Sequence, residues 1–182
     1  FYAPVHRAAH LTTHGLLERA HHVVQRAAAE RRACLFGTTA TVCEVSEASE
    51  GMAASIRAGM AALRGTCDAA MILPADMPDI TTQDMRQMLA QFAAHDGQMI
   101  CRGQSESGRA GHPVIFPPDF FAALAAVTGD QGGRDILRQH AQRVVKVGLP
   151  GDHAITDLDT PEAWEKWRQA RGNLNYMWIT RS

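Results

Sequence analysis

The stretch Ala69-Ala70-Met71-Ile72-Leu73-Pro74-Ala75-Asp76-Met77-Pro78 decides the fold of this chain. Its first five residues form an unbroken apolar run, which is typical of a strand covered by helices on both faces of a parallel sheet. Pro74 ends the strand, and Asp76 follows just past its carboxyl end, where open α/β sheets bind their ligands. An acid at this place is well positioned to hold a metal ion. From position alone, a capped turn before Pro78 explains Asp76 equally well.

Helical and strand patterns alternate on both sides of this stretch. Helices are predicted at 14–30, from Gly51, from the Thr81-x-x-Asp84 capping pattern, at 119–127, at 134–140 and from Pro161. Further strands are predicted at 33–36, Thr41–Val45, 99–101, 113–116 and 144–147. The alternation predicts an α/β fold with a mostly parallel sheet. Because no internal repeat or low-complexity linker is present, residues 1–182 are predicted to form a single domain with an irregular tail at 172–182.

Composition excludes several classes of partner. The 182 residues are 46% hydrophobic and 20% charged, and Lys+Arg 18 against Asp+Glu 19 leave a net charge of -1. A net charge this close to zero gives no overall electrostatic field that would attract nucleic acid or an anionic membrane. No apolar run approaches the roughly 18 residues of a membrane span. The four cysteines lack a CxxC pair, which favours free thiols in a reducing cytoplasm.

A second acidic cluster lies at Asp157-Leu158-Asp159. In an extended segment side chains alternate, so both carboxylates share one face. Together with Asp76 they could hold one Mg²⁺, which proteins usually bind through one or two carboxylates, substrate phosphates and water. For Asp159 the simpler alternative is an ordinary residue ahead of the cap at Thr160.

Three arginines, Arg57, Arg109 and Arg134, each stand beside glycines or a helix start. Arg109 and His112 lie in Gly108-Arg-Ala-Gly-His-Pro113, and Arg134 follows Gly132-Gly133. Glycines allow close approach of a ligand, and an arginine fork can bind phosphate or carboxylate oxygens. Each arginine taken singly is also a simple surface charge, and His112 could equally be bonded to backbone. The glycine spacing at 103–110 resembles a P-loop but lacks its Lys and Ser/Thr, so that interpretation is rejected.

Taken jointly, four blocks resemble the molybdenum cofactor nucleotidyltransferase family, and among its branches the molybdenum cofactor cytidylyltransferases. The blocks, in family order, are residues 51–60, 73–80, 108–116 with 129–134, and 157–162. The resemblance implies a Rossmann-like three-layer nucleotidyltransferase fold that binds CTP and Mg²⁺. It implies transfer of CMP to the phosphate of the molybdopterin cofactor with release of pyrophosphate, and a molybdoenzyme or its chaperone as a possible recipient.

The same resemblance assigns roles to individual residues. Asp76 would be the magnesium-binding aspartate, with Asp157 or Asp159 as the second acid near the metal. The residues implied on the nucleotide side are Gly51, Ser55, Arg57, Pro74 and Ala75. Those implied to face the pterin substrate are Arg109, His112, Pro113, Gly132 and Arg134.

One departure from the family pattern leaves the function open. The family begins with a strand and a loop of the kind Leu-Ala-Ala-Gly-x-Ser-x-Arg-Met-Gly, followed by a Lys, and residues 1–182 contain neither. Either residues outside this sequence supply the loop, or the protein lacks its triphosphate cradle and activity is in doubt. The alternatives to cytidylyl transfer are a non-catalytic module that binds or delivers the cofactor, and a nucleotidyltransferase with another base or acceptor.

Overall fold

The computed structural model describes residues 6–11, 17–25, 41–45, 51–63, 67–129 and 133–171. Its strands are β1 His6–Leu11, β2 Leu17–Gln25, β3 Thr41–Val45, β4 Ala69–Pro74, β5 Ile100–Gln104, β6 Ala110–Phe116 and β7 Val144–Gly148. Its α-helices are α1 Gly51–Ala62, α2 Thr82–Ala94, α3 Phe121–Ala125, α4 Arg134–Gln139 and α5 Pro161–Ala170. Two short 3₁₀ turns, Pro118–Phe120 and Ala141–Arg143, precede α3 and β7.

The strands form one mixed sheet with the order β3-β2-β1-β4-β6-β5-β7. In the described ranges, β2 and β3 pair in parallel, as do β5 and β7, whereas the other neighbouring strands pair antiparallel. Strands β1 and β6 therefore run against the other five described strands. The sheet is mixed: most of these strands run in one direction, although most neighbouring pairs are antiparallel. An apolar run reports burial on both faces and does not fix the direction of the neighbouring strand.

The predicted helix at 14–30 is wrong, because residues Leu17–Gln25 form strand β2. This strand pairs on one side with β1 and on the other with β3, with Val23 opposite both His6 and Cys43. Helical spacing of apolar residues does not decide the structure where two neighbouring strands can take up the hydrogen bonds of the backbone. In addition, β-branched residues such as Val23 and Val24 favour extended structure. The strand predicted at 33–36 lies outside the described residues.

Helices cover both faces of the sheet, which confirms the three-layer α/β prediction for the described part of the chain. On one face, α1, α3 and α4 pack over Ile72 and Val114. On the other face, α2 packs over Met71 and Ile115. This division follows from the alternation of side chains along β4 and β6. None of the described helices is long and apolar enough to cross a membrane.

Helix α2 begins with the predicted capping box, and the aspartate of this box also contacts a histidine far along the chain. The Thr81 side chain accepts a hydrogen bond from the Asp84 backbone N–H, and Asp84 Oδ2 accepts from Thr81 N at 2.7 Å. Asp84 is 1% exposed, and the same Oδ2 lies 2.9 Å from His153 Nδ1. This contact joins the turn at 151–155 to the start of α2.

Candidate active site

Three acidic residues, Asp76, Asp157 and Asp159, lie near the carboxyl end of β4. Asp76 lies in the loop after this strand, and its main-chain carbonyl accepts a hydrogen bond from Leu158 N at 2.9 Å. Leu158 is buried, and its neighbours Asp157 and Asp159 are exposed. Burial raises the pKa of Asp76, and the negative charges of Asp159 and Asp157 raise it further. The three acids predicted from the sequence thus lie near enough for the charges of Asp157 and Asp159 to act on Asp76.

The surroundings of Asp76 fit a hard divalent cation. Its Oδ1 is buried and has no hydrogen-bond partner among the described residues. An unpaired buried carboxylate oxygen is costly, and a cation would compensate both this atom and the repulsion from the neighbouring acids. Across the described ranges, no three His, Cys, Asp or Glu side chains converge closely enough to enclose a metal. A cation here would need ligands from substrate and water, as Mg²⁺ commonly does.

The acidic loop is held by α5 through a contact that the sequence did not reveal. Trp167 Nε1 donates to Asp79 Oδ1 at 2.7 Å, and the Arg171 guanidinium binds the same oxygen. Asp79 is buried, and Arg171 also stacks over the Trp167 ring with 4.8 Å to its centroid. Because Asp79 is three residues beyond Asp76, this contact ties the last helix to the loop that carries the acid.

We expect Trp167→Phe to lower the free energy of unfolding by about 1.5 kcal/mol, because a buried carboxylate loses its indole donor while the aromatic ring is retained. Urea denaturation of the variant beside the parent chain measures the effect. Glu165→Gln is the matched control in α5, since its pair with Arg168 is exposed and contributes little. Equal stability of the two variants would contradict the anchoring role of Asp79.

The residues assigned to the nucleotide side divide into two groups. Pro74 ends β4 and Ala75 follows it, so both lie directly beside Asp76. Gly51 begins α1 with φ 62°, and Ser55 is half-buried one turn later. Arg57 is also half-buried in α1, and its Nη1 donates to the Val127 carbonyl at 2.9 Å. In this structure Arg57 therefore joins α1 to the end of α3.

A second feature is a cleft of about 100 Å³ on the α1 and α4 side of the sheet. The polar side chains in its lining are Arg102, His112 and Arg134, and most of the other lining side chains are apolar. Arg102 Nε donates to the Gly111 carbonyl at 3.1 Å. Two of the residues expected to face the substrate thus share a cavity with an arginine that sequence reasoning missed. No motif signalled Arg102, because only strand register turns it toward this face.

The other residues expected to face the substrate surround this cleft less closely. Pro113 is buried after a cis peptide bond with His112. Arg109 is exposed in the loop between β5 and β6, and its main-chain carbonyl accepts a hydrogen bond from Ser105 N at 2.9 Å. Gly132 lies outside the described residues. The structure therefore groups His112 and Arg134 and leaves Arg109 on the surface.

The fold and the position of the acids define the class of protein. In a three-layer α/β domain, ligands bind in the crevice beyond the carboxyl ends of the strands, and Asp76 lies at this end of β4. The chain belongs to the family of the MobA-like NTP transferase domain, whose model matches residues 6–144. The match confirms the predicted nucleotidyltransferase family and a nucleoside triphosphate substrate. It is a match to the family as a whole and not to its cytidylyltransferase branch.

Solved structures support the same fold. Rv0371c from Mycobacterium tuberculosis H37Rv is 22% identical with a TM-score of 0.68, and the match covers 85% of this chain and 78% of that one. Its homologue from Mycobacterium sp. strain JC1 is 21% identical with a TM-score of 0.69, covering 81% and 72%. The manganese complex of Rv0371c from Mycobacterium tuberculosis is 18% identical with a TM-score of 0.69, and the match covers 86% of this chain and 80% of that one. No curated protein matches the chain.

Proposed function

We propose that this protein transfers CMP from CTP to the phosphate of the molybdopterin cofactor, releases pyrophosphate, and binds Mg²⁺ at Asp76 as it does so. One observation carries the proposal: the buried, unpaired Oδ1 of Asp76 lies at the end of β4 beside Asp157 and Asp159. The four sequence blocks that resemble cytidylyltransferases support the choice of base and acceptor. A solved relative of this fold, Rv0371c, has been obtained as a manganese complex, and a divalent ion of that kind suits the same donor set.

The chain's own residues would supply orientation and charge. Asp76 would hold the cation directly, and Asp157 or Asp159 would hold it directly or through water. Pro74 and Ala75 would flank the nucleotide beside this site, with Gly51 and Ser55 at the start of α1. When bound, Mg²⁺ would neutralise charge on the phosphate oxygens of the nucleotide.

The reaction needs two phosphates aligned more than it needs covalent chemistry from the protein. An oxygen of the acceptor phosphate attacks the α-phosphorus of CTP, and the bond from that phosphorus to the bridging oxygen breaks as pyrophosphate leaves. His112 and Arg134 line the cleft that would orient the acceptor. The nucleotidylated cofactor would then pass to a molybdoenzyme or its chaperone.

Release of pyrophosphate tests this proposal. We would incubate the chain with CTP, GTP or ATP, with and without Mg²⁺ and the molybdopterin cofactor. The proposal expects pyrophosphate only when CTP, Mg²⁺ and cofactor are all present, with one CMP joined to the cofactor for each pyrophosphate. Preference for GTP would overturn the choice of base, and consumption of no nucleotide at all would overturn nucleotidyl transfer by this chain.

A further inference from the structure

The cleft between α1 and α4 holds two arginines whose charges face the same space. Arg102 lies in β5 opposite Val114 of β6, which in turn lies opposite Ile72 of β4, so all three side chains share one face of the sheet. Arg134, at the start of α4, lines the same cleft from above. Burial lowers the pKa of Arg102, and the charge of Arg134 lowers it further. The charged form of Arg102 is thus disfavoured both by burial and by the neighbouring Arg134.

No acid offsets these charges within the described part of the chain. The described ion pairs include neither Arg102 nor Arg134, and the cleft lining contains no acidic side chain. The walls are mostly aliphatic, as at Ile56 and Leu137, and poor solvation of this kind strengthens attraction for an anion. Two neighbouring arginines with no acid paired to them among the described residues are the chemistry of an oxyanion site.

The Arg102 guanidinium is also held in place. Its Nε donates to the Gly111 carbonyl at 3.1 Å, and Nη2 lies 3.5 Å from the Ala110 carbonyl. The Arg102 Nη1 makes no hydrogen bond to any described residue and can donate to a ligand. A cleft of about 100 Å³ is small for a whole nucleotide or pterin, since whole-ligand sites span roughly 300–1,000 Å³. It suits a single group of a larger ligand.

We propose that Arg102 and Arg134 form an anion subsite that binds the phosphate monoester of the acceptor, an inference that rests on the proposed function. Position favours the acceptor over the nucleotide. Strand β5 is two strand spacings from β4, roughly 10 Å, and Asp76 lies beyond the end of β4. A phosphate in the cleft would therefore lie beside the metal site and not on it, which leaves the metal site to the nucleotide.

Calorimetric titration with inorganic phosphate, at constant ionic strength and without Mg²⁺, tests the subsite. We expect one phosphate per chain. Affinity should fall at least about tenfold in Arg102→Gln and in Arg134→Gln, and Arg102→Lys should also weaken it because the charge is kept but the fork is lost. Arg86→Gln, on the exposed side of α2, is the matched control and should bind as the parent does.

No binding of phosphate by the parent chain, or an affinity in both arginine-to-glutamine variants equal to that of the parent, would overturn the subsite. Should Arg102→Gln fail to fold, Arg134→Gln decides alone, since Arg134 is exposed and packs little. A repeat with saturating CTP and Mg²⁺ separates the sources of phosphate: unchanged affinity supports the acceptor, and competition would assign the cleft to the nucleotide. Transfer activity without phosphate binding refutes the subsite alone, whereas arginine-dependent phosphate binding without CTP binding refutes the proposed function alone.

Discussion

Asp76→Asn should reduce the rate of CMP transfer by about a thousandfold, which corresponds to a loss of about 4 kcal/mol of transition-state stabilisation. The amide keeps the size of the side chain but replaces one anionic oxygen with a nitrogen that cannot bind a cation. Turnover of CTP at saturating Mg²⁺ and cofactor measures the loss.

The same substitution should leave the fold intact. Burial and the charges of Asp159 and Asp157 raise the pKa of Asp76, so its ionised form is disfavoured in the native chain without a cation. A neutral side chain there should be at least as stable, as thermal unfolding without divalent ions would show. Asp68→Asn is the matched control, because Asp68 is exposed just before the other end of β4. A fall in activity equal to that of the control would refute the role of Asp76.

Gly111→Ala should be the most destabilising of the single substitutions considered for this chain, costing about 3 kcal/mol and lowering Tm by about 10 °C. A Cβ at Gly111 would lie 1.7 Å from the Ala154 carbonyl oxygen and 2.7 Å from its carbon. The obstacle is backbone that cannot easily move aside, because the same oxygen accepts a hydrogen bond from His112 N at 2.8 Å. His153, next to Ala154, is in turn bonded to the buried Asp84.

Gly148→Ala provides the control for this prediction. Gly148 is the last residue of β7, as Gly111 is the second residue of β6, yet a Cβ added at Gly148 would meet no described heavy atom within 4 Å. We expect its Tm to stay within about 2 °C of the parent. If the two glycine variants had the same Tm, the close approach of β6 to the turn at 151–155 would be contradicted.

Local signals were sufficient for much of the fold. The apolar run before Pro74 gave β4, the Thr81-x-x-Asp84 pattern gave the start of α2, and Pro161 after the Thr160 cap gave α5. In each case the residues that specify the element lie within a few positions of one another. The strand at Leu17–Gln25 was missed because its pairing with both neighbours, which sequence spacing does not record, outweighed a helical pattern.

In the candidate site too, some residues could be predicted from local sequence and others depend on contacts between distant parts of the chain. Asp76 and the pair Asp157 and Asp159 could be nominated because acids beside a strand end and a helix cap are visible in sequence. The contact between Asp79 and Trp167 joins residues 88 positions apart, and no local pattern signals it. Arg102 was missed because a lone arginine within a short strand resembles any surface charge, and only register with Val114 places it over the cleft.

The central claim is that Asp76 holds the metal-bound nucleotide. Calorimetric titration with CTP, with and without Mg²⁺, on the parent chain and on Asp76→Asn tests it most directly. We predict that CTP binding by the parent requires Mg²⁺ and that the variant loses at least about tenfold in affinity, or 1.4 kcal/mol. Magnesium-dependent binding of equal strength in both chains would contradict the claim.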